Sequence, residues 1–384
     1  MTDEKKKMTA QGSSVGADDG QSISQNSKTT IPDPDEKSNS PERDLEELYR
    51  KMRRMSDPAY LHTVTLDELM DNVFEGKSAV IENLLYTGAY ILAGAPKIGK
   101  SFLVAQIAHH VSTGQDLWGY KVHQGTVLYL ALEDNFARIQ KRLSKMFDME
   151  DTDKFFFAIE AKSLNGGLDM QMENFTKEHP DTKLIIIDTL QKIREVSGDK
   201  YSYASDYDII TKLKSFADKH NIGILVVHHT RKMESSDTFD MISGTQGLLG
   251  AADGAFILQK EKRTENKAIL DISGRDQQDQ KLHLKFDVER CVWELEKVET
   301  ELWKSPPDPL LEAVTKILTP ENTKWEGTVT ELAASLDGIE IAANVITRKL
   351  NVKADELLSK YHIRFTCDHP HGQRRIILLL VEEA

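Results

Sequence analysis

One stretch limits what this chain can fold into more than any other: Gly94-Ala95-Pro96-Lys97-Ile98-Gly99-Lys100-Ser101, a complete G-x-x-x-x-G-K-S. Tyr90–Ala93 before it reads as a buried strand, and Lys100–Ser112 after it reads as a helix closed by Gly114. Strand, glycine-rich loop and helix in that order are the context in which this spacing has a mechanism. The glycines let backbone N–H groups crowd around phosphate oxygens at a helix N-terminus. Lys100 is then placed to reach the β- and γ-phosphates of ATP, and the Ser101 hydroxyl to ligate Mg2+. Gly94, Ala95, Pro96, Lys97, Ile98, Gly99, Lys100 and Ser101, with Phe102 directly after them, are the expected nucleotide contacts.

The surrounding pattern predicts the sheet that such a loop needs. Thr126–Ala131, Lys183–Asp188, Ile222–Val227 and Gly254–Leu258 are short apolar runs bounded by turn residues, with amphipathic stretches such as Asp206–His220 between them. Strands alternating with helices imply an α/β fold, a parallel sheet covered on both faces. Lys267–Ile272, Lys281–Phe286 and Cys291–Leu295 follow one another without intervening helices, so the sheet should end in an antiparallel extension.

Residues 1–57 are rich in Ser, Asp, Lys, Gln and Pro, too polar to offset their ordering entropy, and read as a disordered tail with a short helix around Arg43–Arg54. Residues 58–300 hold the α/β core. Residues 301–309, which include Ser305-Pro306-Pro307-Asp308-Pro309, read as a stiff linker. In 310–384, Leu310, Leu311, Val314, Ile317 and Leu318 form one helical face, and Thr328-Val329-Thr330-Glu331 matches a capping box for a second helix. A third helical stretch over 341–360 precedes Ile363–Thr366 and Arg375–Leu380, which can pair as a hairpin. Three helices followed by a hairpin suggest a winged-helix-like domain.

Charge narrows the partners. The 384 residues carry a formal net charge of −13, which argues against coating DNA or an anionic membrane by bulk attraction. Residues 1–57 contribute only −2 of it. Cys291 and Cys367 show neither metal-ligand spacing nor a disulfide framework, as expected of a cytoplasmic protein. No apolar run approaches the ~20 residues that span a bilayer. Lys5, Lys6 and Lys7 are followed by no apolar segment, so no secretory signal is expected.

Carboxylates supply the rest of the expected chemistry. Asp188 closes a buried strand, where it faces the ligand crevice and can hold the Mg2+ shell; the alternative for such an aspartate is a turn or cap. Thr189 follows it, so a catalytic glutamate cannot stand there. The candidate is Glu133, in Leu132-Glu133-Asp134 at the end of the strand after the phosphate-loop helix, positioned to orient the attacking water. Asp134 or Asn135 would cap the helix Phe136–Met146.

The order of phosphate loop, strand ending Leu132-Glu133-Asp134, strand ending Asp188, then Val227-His228-His229-Thr230-Arg231-Lys232 resembles the RecA/DnaB superfamily. Its Gly-x-Pro-Lys-x-Gly-Lys-Ser loop is similar to that of RepA-type ATPases of plasmids and mobile elements. The resemblance runs from about Val64 to Phe286. It implies that Glu133 activates water, that Asp188 serves Mg2+ and that His229 senses the γ-phosphate. His228 lies on the opposite strand face, so only one of the pair can enter the site. It also implies a homo-oligomeric ring, usually a hexamer, with ATP between subunits and a basic residue donated in trans. Arg275, in Ile272-Ser273-Gly274-Arg275-Asp276, is the best candidate for that finger, ahead of Arg263, Arg231 and Lys232.

Nucleic acid has two expected places. Loops Glu195–Ser205, with Lys200, Tyr201 and Tyr203, and Lys232–Thr245 could meet single-stranded DNA in a ring pore, although neither is strongly basic. Residues 341–375 carry Arg348, Lys349, Lys353, Lys360, Arg364, Arg374 and Arg375 against Asp355, Glu356 and Asp368, a local excess of +4 that suits duplex DNA at the wing. The expected activity is an ATP-driven DNA helicase of the RepA kind. The competing expectations are an ATP-switched DNA-binding regulator and a recombination-type ATPase that unwinds nothing.

Overall fold

The apolar runs form strands because their side chains are buried on both faces. The computed structural model describes most of residues 56–381, together with 45, 49, 50, 52 and 53; positions 62, 75, 149, 195–202, 230–245, 261, 263–264, 300–305, 337, 339–340 and 369–374 are outside the described residues. The expected tail helix therefore falls largely outside them, as do both pore loops up to Tyr203, most of the wing turn, and Arg231, Lys232, Arg263 and Arg374. The described residues group into two units, 1–66 and 67–384. In the first, a short turn is closed by the Tyr60 N–H donating to the Asp57 carbonyl at 2.9 Å.

The second unit begins within helix α1 (Leu66–Asp71) and continues through β1 (Ala79–Ile81), β2 (Leu85–Tyr86) and β3 (Gly88–Gly94). Helix α2 (Lys100–Thr113) leads to β4 (Thr126–Ala131), α3 (Phe136–Phe147), β5 (Phe155–Ala158), a π-helical turn over Leu164–Leu168 and α4 (Asp169–Glu178). Then come β6 (Thr182–Asp188), α5 (Leu190–Ile193), α6 (Tyr203–His220), β7 (Gly223–His229), α7 (Gln246–Ala251), β8 (Gly254–Gln259), β9 (Lys267–Gly274), β10 (Gln280–Asp287) and β11 (Val292–Val298).

Among the described residues these strands build a nine-stranded sheet in the order β11-β10-β9-β8-β3-β7-β6-β4-β5. From β8 through β5 the strands run parallel, and β9, β10 and β11 are antiparallel. All seven residues of β3 are buried, as a strand with helices on both faces requires. One face packs Leu92, Tyr129, Ile186 and Leu225 against Leu103, Val104 and Val111 of α2. The other packs Ile91, Ile187 and Ile224 against Ile210, Leu213 and Ala217 of α6. The core is an α/β P-loop fold with a mostly parallel sheet.

The C-terminal stretch holds α8 (Pro309–Thr315), β12 (Lys324–Thr328), α9 (Val329–Ser335), α10 (Ala343–Val352), α11 (Ala354–Tyr361), β13 (Ile363–Asp368) and β14 (Arg375–Leu380). Its antiparallel sheet has the order β12-β14-β13. The capping box is present: Thr328 Oγ1 accepts from the Glu331 N–H at 3.3 Å, and the Glu331 carboxylate accepts from the Thr328 N–H at 2.7 Å. Two features differ from the sequence expectation. The stretch 341–360 is two helices that meet at Lys353, and Lys324–Thr328 adds an edge strand in which Lys324 and Glu326 are exposed while Trp325 packs on the C-terminal core. No helix among the described residues is long and apolar enough to cross a membrane.

Candidate functional site

Strand register places the chemistry. In β3 and β7, Gly94 pairs with His229; in β6 and β7, Asp188 pairs with Val227; in β4 and β6, Ala131 pairs with Asp188. The four strands run in one direction, so the residues at and just beyond their C-terminal ends share one sheet edge. Glu133, Asp188 and His229 meet the phosphate loop there, although nearly 100 residues separate Glu133 from His229 in sequence. They line a cavity of about 340 Å³ with Lys97, Ile98, Gly99, Lys100, Ser101, Phe102, Arg142, Lys260 and Phe286.

Backbone geometry opens the loop. Gly99 has φ 106°, and a Cβ there would stand 2.9 Å from the Trp293 ring. At Gly94 a Cβ would lie 2.6 Å from the Leu258 carbonyl oxygen. Both positions exclude side chains and leave main chain lining the cavity, the arrangement that backbone binding of phosphate needs. Trp293, from β11, clamps the loop from behind: its indole N–H donates to the Gly99 carbonyl at 3.2 Å. Gln106 of α2 holds the Trp293 backbone at both its N–H (2.8 Å) and its carbonyl (2.9 Å).

Lys100 is buried, and its three N–H donors go to Gly94 O at 2.7 Å, Ala95 O at 2.9 Å and His229 Nδ1 at 3.0 Å. Lysine only donates, so Nδ1 accepts and the His229 proton sits on Nε2. That nitrogen is 4.0 Å from Glu133 Oε2. Thr189 donates from Oγ1 to the other Glu133 oxygen at 3.1 Å. Lys100–His229 and Thr189–Glu133 are thus two hydrogen-bonded pairs that face each other across 4.0 Å. Burial lowers the Lys100 pKa to about 8, against the opposing pull of Asp188 and Glu133. Burial, then the Lys100 charge, pushes His229 below the usual imidazole value, so the ring is neutral at pH 7.

Asp188 is buried, accepts from the Tyr129 hydroxyl at 3.0 Å and hydrogen-bonds the Ser101 hydroxyl. Burial raises its pKa, and the bonds from Ser101 and Tyr129 oppose that shift. Ser101 and Asp188 together present one hydroxyl and one carboxylate. No cluster of three or more His, Cys, Asp or Glu suited to a metal exists among the described residues. That donor set fits Mg2+, which is bound by one or two protein oxygens with substrate phosphates and water completing its octahedron.

Glu133 is not the helix cap. Asn135 takes that role, its side chain accepting from the Arg138 N–H at 2.9 Å, while Asp134 pairs with Arg142 at 2.7 Å. His229 lines the cavity and His228, on the other face of β7, does not. Arg275 is not brought to this site in its own chain. It follows β9 at the opposite end of the sheet, ~17 Å away by the rise along β8. Its backbone N–H donates to the Asp253 carbonyl and its guanidinium to the Gly250 carbonyl, each at 2.8 Å.

Several residues that support or line the site carried no local signal. Thr189, Tyr129 and Trp293, which hold Glu133, Asp188 and Gly99 from behind the cavity, are ordinary strand and turn residues in sequence. Phe286 packs edge-on against Phe102 at 5.4 Å, and Lys260 lies 5.3 Å above the Trp293 ring. They come from the antiparallel extension and the end of β8, and only the sheet order puts them beside the loop.

Residues 55–235 match a family model described as AAA domain. DNA repair protein RadA of Streptococcus pneumoniae is 28% identical over 144 residues, which are 37% of this chain and 30% of RadA. The match therefore spans less than a third of that relative. Among solved structures, an isolated ATPase domain is 14% identical with a TM-score of 0.47, over 67% of this chain and 99% of that one. A DnaB-like replicative helicase, solved with attention to its interactions with primase, gives 14% and 0.47 over 65% and 71%. The sequence that builds the phosphate loop and both carboxylate strands is thus similar to AAA domains.

Proposed function

We propose that this chain is an ATP-hydrolysing motor that acts on DNA, a replicative helicase of the RepA kind working as a homo-oligomeric, hexameric ring. The convergence of Lys100, His229 and Glu133 on the phosphate-loop cavity carries the reading. It supports Lys100 as the phosphate-binding lysine and Glu133 as the carboxylate that activates water.

The phosphates lie against the main chain of 94–101, and Lys100 exchanges the Gly94 and Ala95 carbonyls for phosphate oxygens. Ser101 and Asp188 would hold Mg2+, which would supply positive charge to the phosphates. Glu133, steadied by Thr189, orients water and accepts its proton as it attacks. When Lys100 turns to phosphate, His229 Nδ1 loses its donor. The ring is then free to re-pair. Arg275 cannot serve its own site from the far sheet edge, which supports its use across a subunit boundary at a neighbour's γ-phosphate.

The DNA assignment is supported by the RecA/DnaB-type motif order and by the likeness to a relative named for DNA repair. Residues 58–300 serve as the motor and 310–384 as a winged-helix-like DNA-contacting domain joined by 301–309. The test is strand separation of a forked duplex with ATP and Mg2+. Separation by the wild type and none by Lys100→Ala supports the helicase. DNA-stimulated hydrolysis without separation transfers the assignment to a DNA-bound ATP switch, and the absence of any ATP turnover removes both.

A further inference from the structure

Helix α10 carries Arg348 and Asn351 three residues apart, hence on one face. These are the side chains whose paired groups match base edges in the major groove, Arg with guanine O6 and N7, Asn with adenine N6 and N7. Here the chain's own acidic helix α1 engages both. Arg348 donates from Nε to Asp71 Oδ1 at 2.8 Å and from its terminal nitrogen to Asp67 Oδ1 at 3.1 Å. Asn351 Nδ2 donates to the Met70 carbonyl at 3.0 Å.

The match is incomplete. Asn351 is only 2% exposed, yet its Oδ1 has no hydrogen-bond partner. Helix α1 satisfies the amide as a donor and leaves its acceptor unmet, which is unfavourable in a buried amide. An adenine edge would satisfy both halves. The helix is also lightly held. It has six residues, none of them buried, and such a length is not stable by itself. Its Asp67 and Asp71 offer α10 carboxylate oxygens where a DNA strand would offer phosphates. Lys349, exposed next to Arg348, extends the same surface.

We propose that the Arg348–Asn351 face of α10 docks in the major groove of duplex DNA, and that acidic helix α1 covers this face until DNA displaces it. This rests on the reading that the chain acts on DNA, and it adds which helix meets the duplex and what competes for it. A self-contact occupied about nine-tenths of the time weakens apparent binding about tenfold.

The test measures binding of the full chain to a fluorescein-labelled 20-base-pair duplex at fixed salt, with urea unfolding as a fold control. Asp67→Asn with Asp71→Asn should tighten binding about tenfold, and adding Arg348→Ala or Asn351→Ala should remove the gain. If the double Asn variant binds no tighter while Arg348→Ala still weakens the wild type, the cover is refuted and the DNA surface stands. If no variant binds duplex while forked single-stranded substrate still stimulates ATP turnover, the docking face is refuted and the motor reading stands. If no DNA of any form binds or stimulates, the DNA reading itself fails.

Discussion

Replacing Trp293 with Phe isolates one interaction that the fold makes with its phosphate loop. The Gln106 and Trp118 bonds to residue 293 are made to its backbone, so they survive the change. The ring position also survives, because Phe286 packs 4.9 Å from the Trp293 centroid and supports either ring. What disappears is the indole N–H to the Gly99 carbonyl and part of the ring volume at a position 1% exposed. The lost bond is worth ~1 kcal/mol and the void about the same, so unfolding free energy should fall by about 2 kcal/mol. If the hydrogen-bond share holds Gly99 in its bound geometry, nucleotide affinity falls about fivefold. Urea unfolding gives the first number, and titration with a fluorescent ATP analogue gives the second. Trp118→Phe is the control: it removes an N–H bond to the Trp293 carbonyl at 2.8 Å, outside the loop, and should lower stability without changing nucleotide affinity. Equal affinity for Trp293→Phe and wild type would refute the clamp.

Glu133→Gln should leave nucleotide affinity intact and lower turnover by about 10²–10⁴-fold, and Thr189→Val, which frees one Glu133 oxygen, should lower kcat several-fold with KM unchanged; steady-state kinetics separates the two. His109 is 5% exposed, stacked 3.7 Å from the Phe147 ring, and burial lowers its pKa to about 4. The unfolded chain therefore binds its proton at higher pH than the folded one. Stability should be full above pH 6.5 and fall by up to about 3 kcal/mol as pH drops toward 4, a slope that His109→Gln flattens in urea titrations at several pH values. Burial disfavours the Asp253 charge, but bonds from Lys214, Lys77 and the Ala89 N–H outweigh it and hold the carboxyl below its ordinary range. Asp253→Ala strands two lysines and should cost about 3 kcal/mol in urea unfolding.

Much of the core was legible because its signals are local. A phosphate loop is a backbone device, so the glycines at 94 and 99 announce it wherever they stand in the chain. The parallel strands are continuous apolar runs because both of their faces are covered, and Thr126–Ala131 has the bounds its composition predicts. Gly114 ends α2 in the left-handed conformation, as a glycine after a helical run implies. The edge strand Lys324–Thr328 was not legible, since it is only five residues long, includes Gly327, and pairs on one side alone.

The sequence by itself determined that this chain holds an α/β core with a nucleotide loop, and carboxylates at the ends of two other strands. Each of those statements rests on a short stretch whose meaning does not depend on its neighbours in space. Only the tertiary structure decided which residues share the cavity. Strand order brings β4 and β6 to the loop across β7, and the chain returns from residue 292 to set Trp293 behind Gly99. Tertiary packing also decided that Arg348 and Asn351 face an acidic helix almost 280 residues earlier. Such pairings are contacts of high sequence separation, and no local pattern of propensity or charge encodes them.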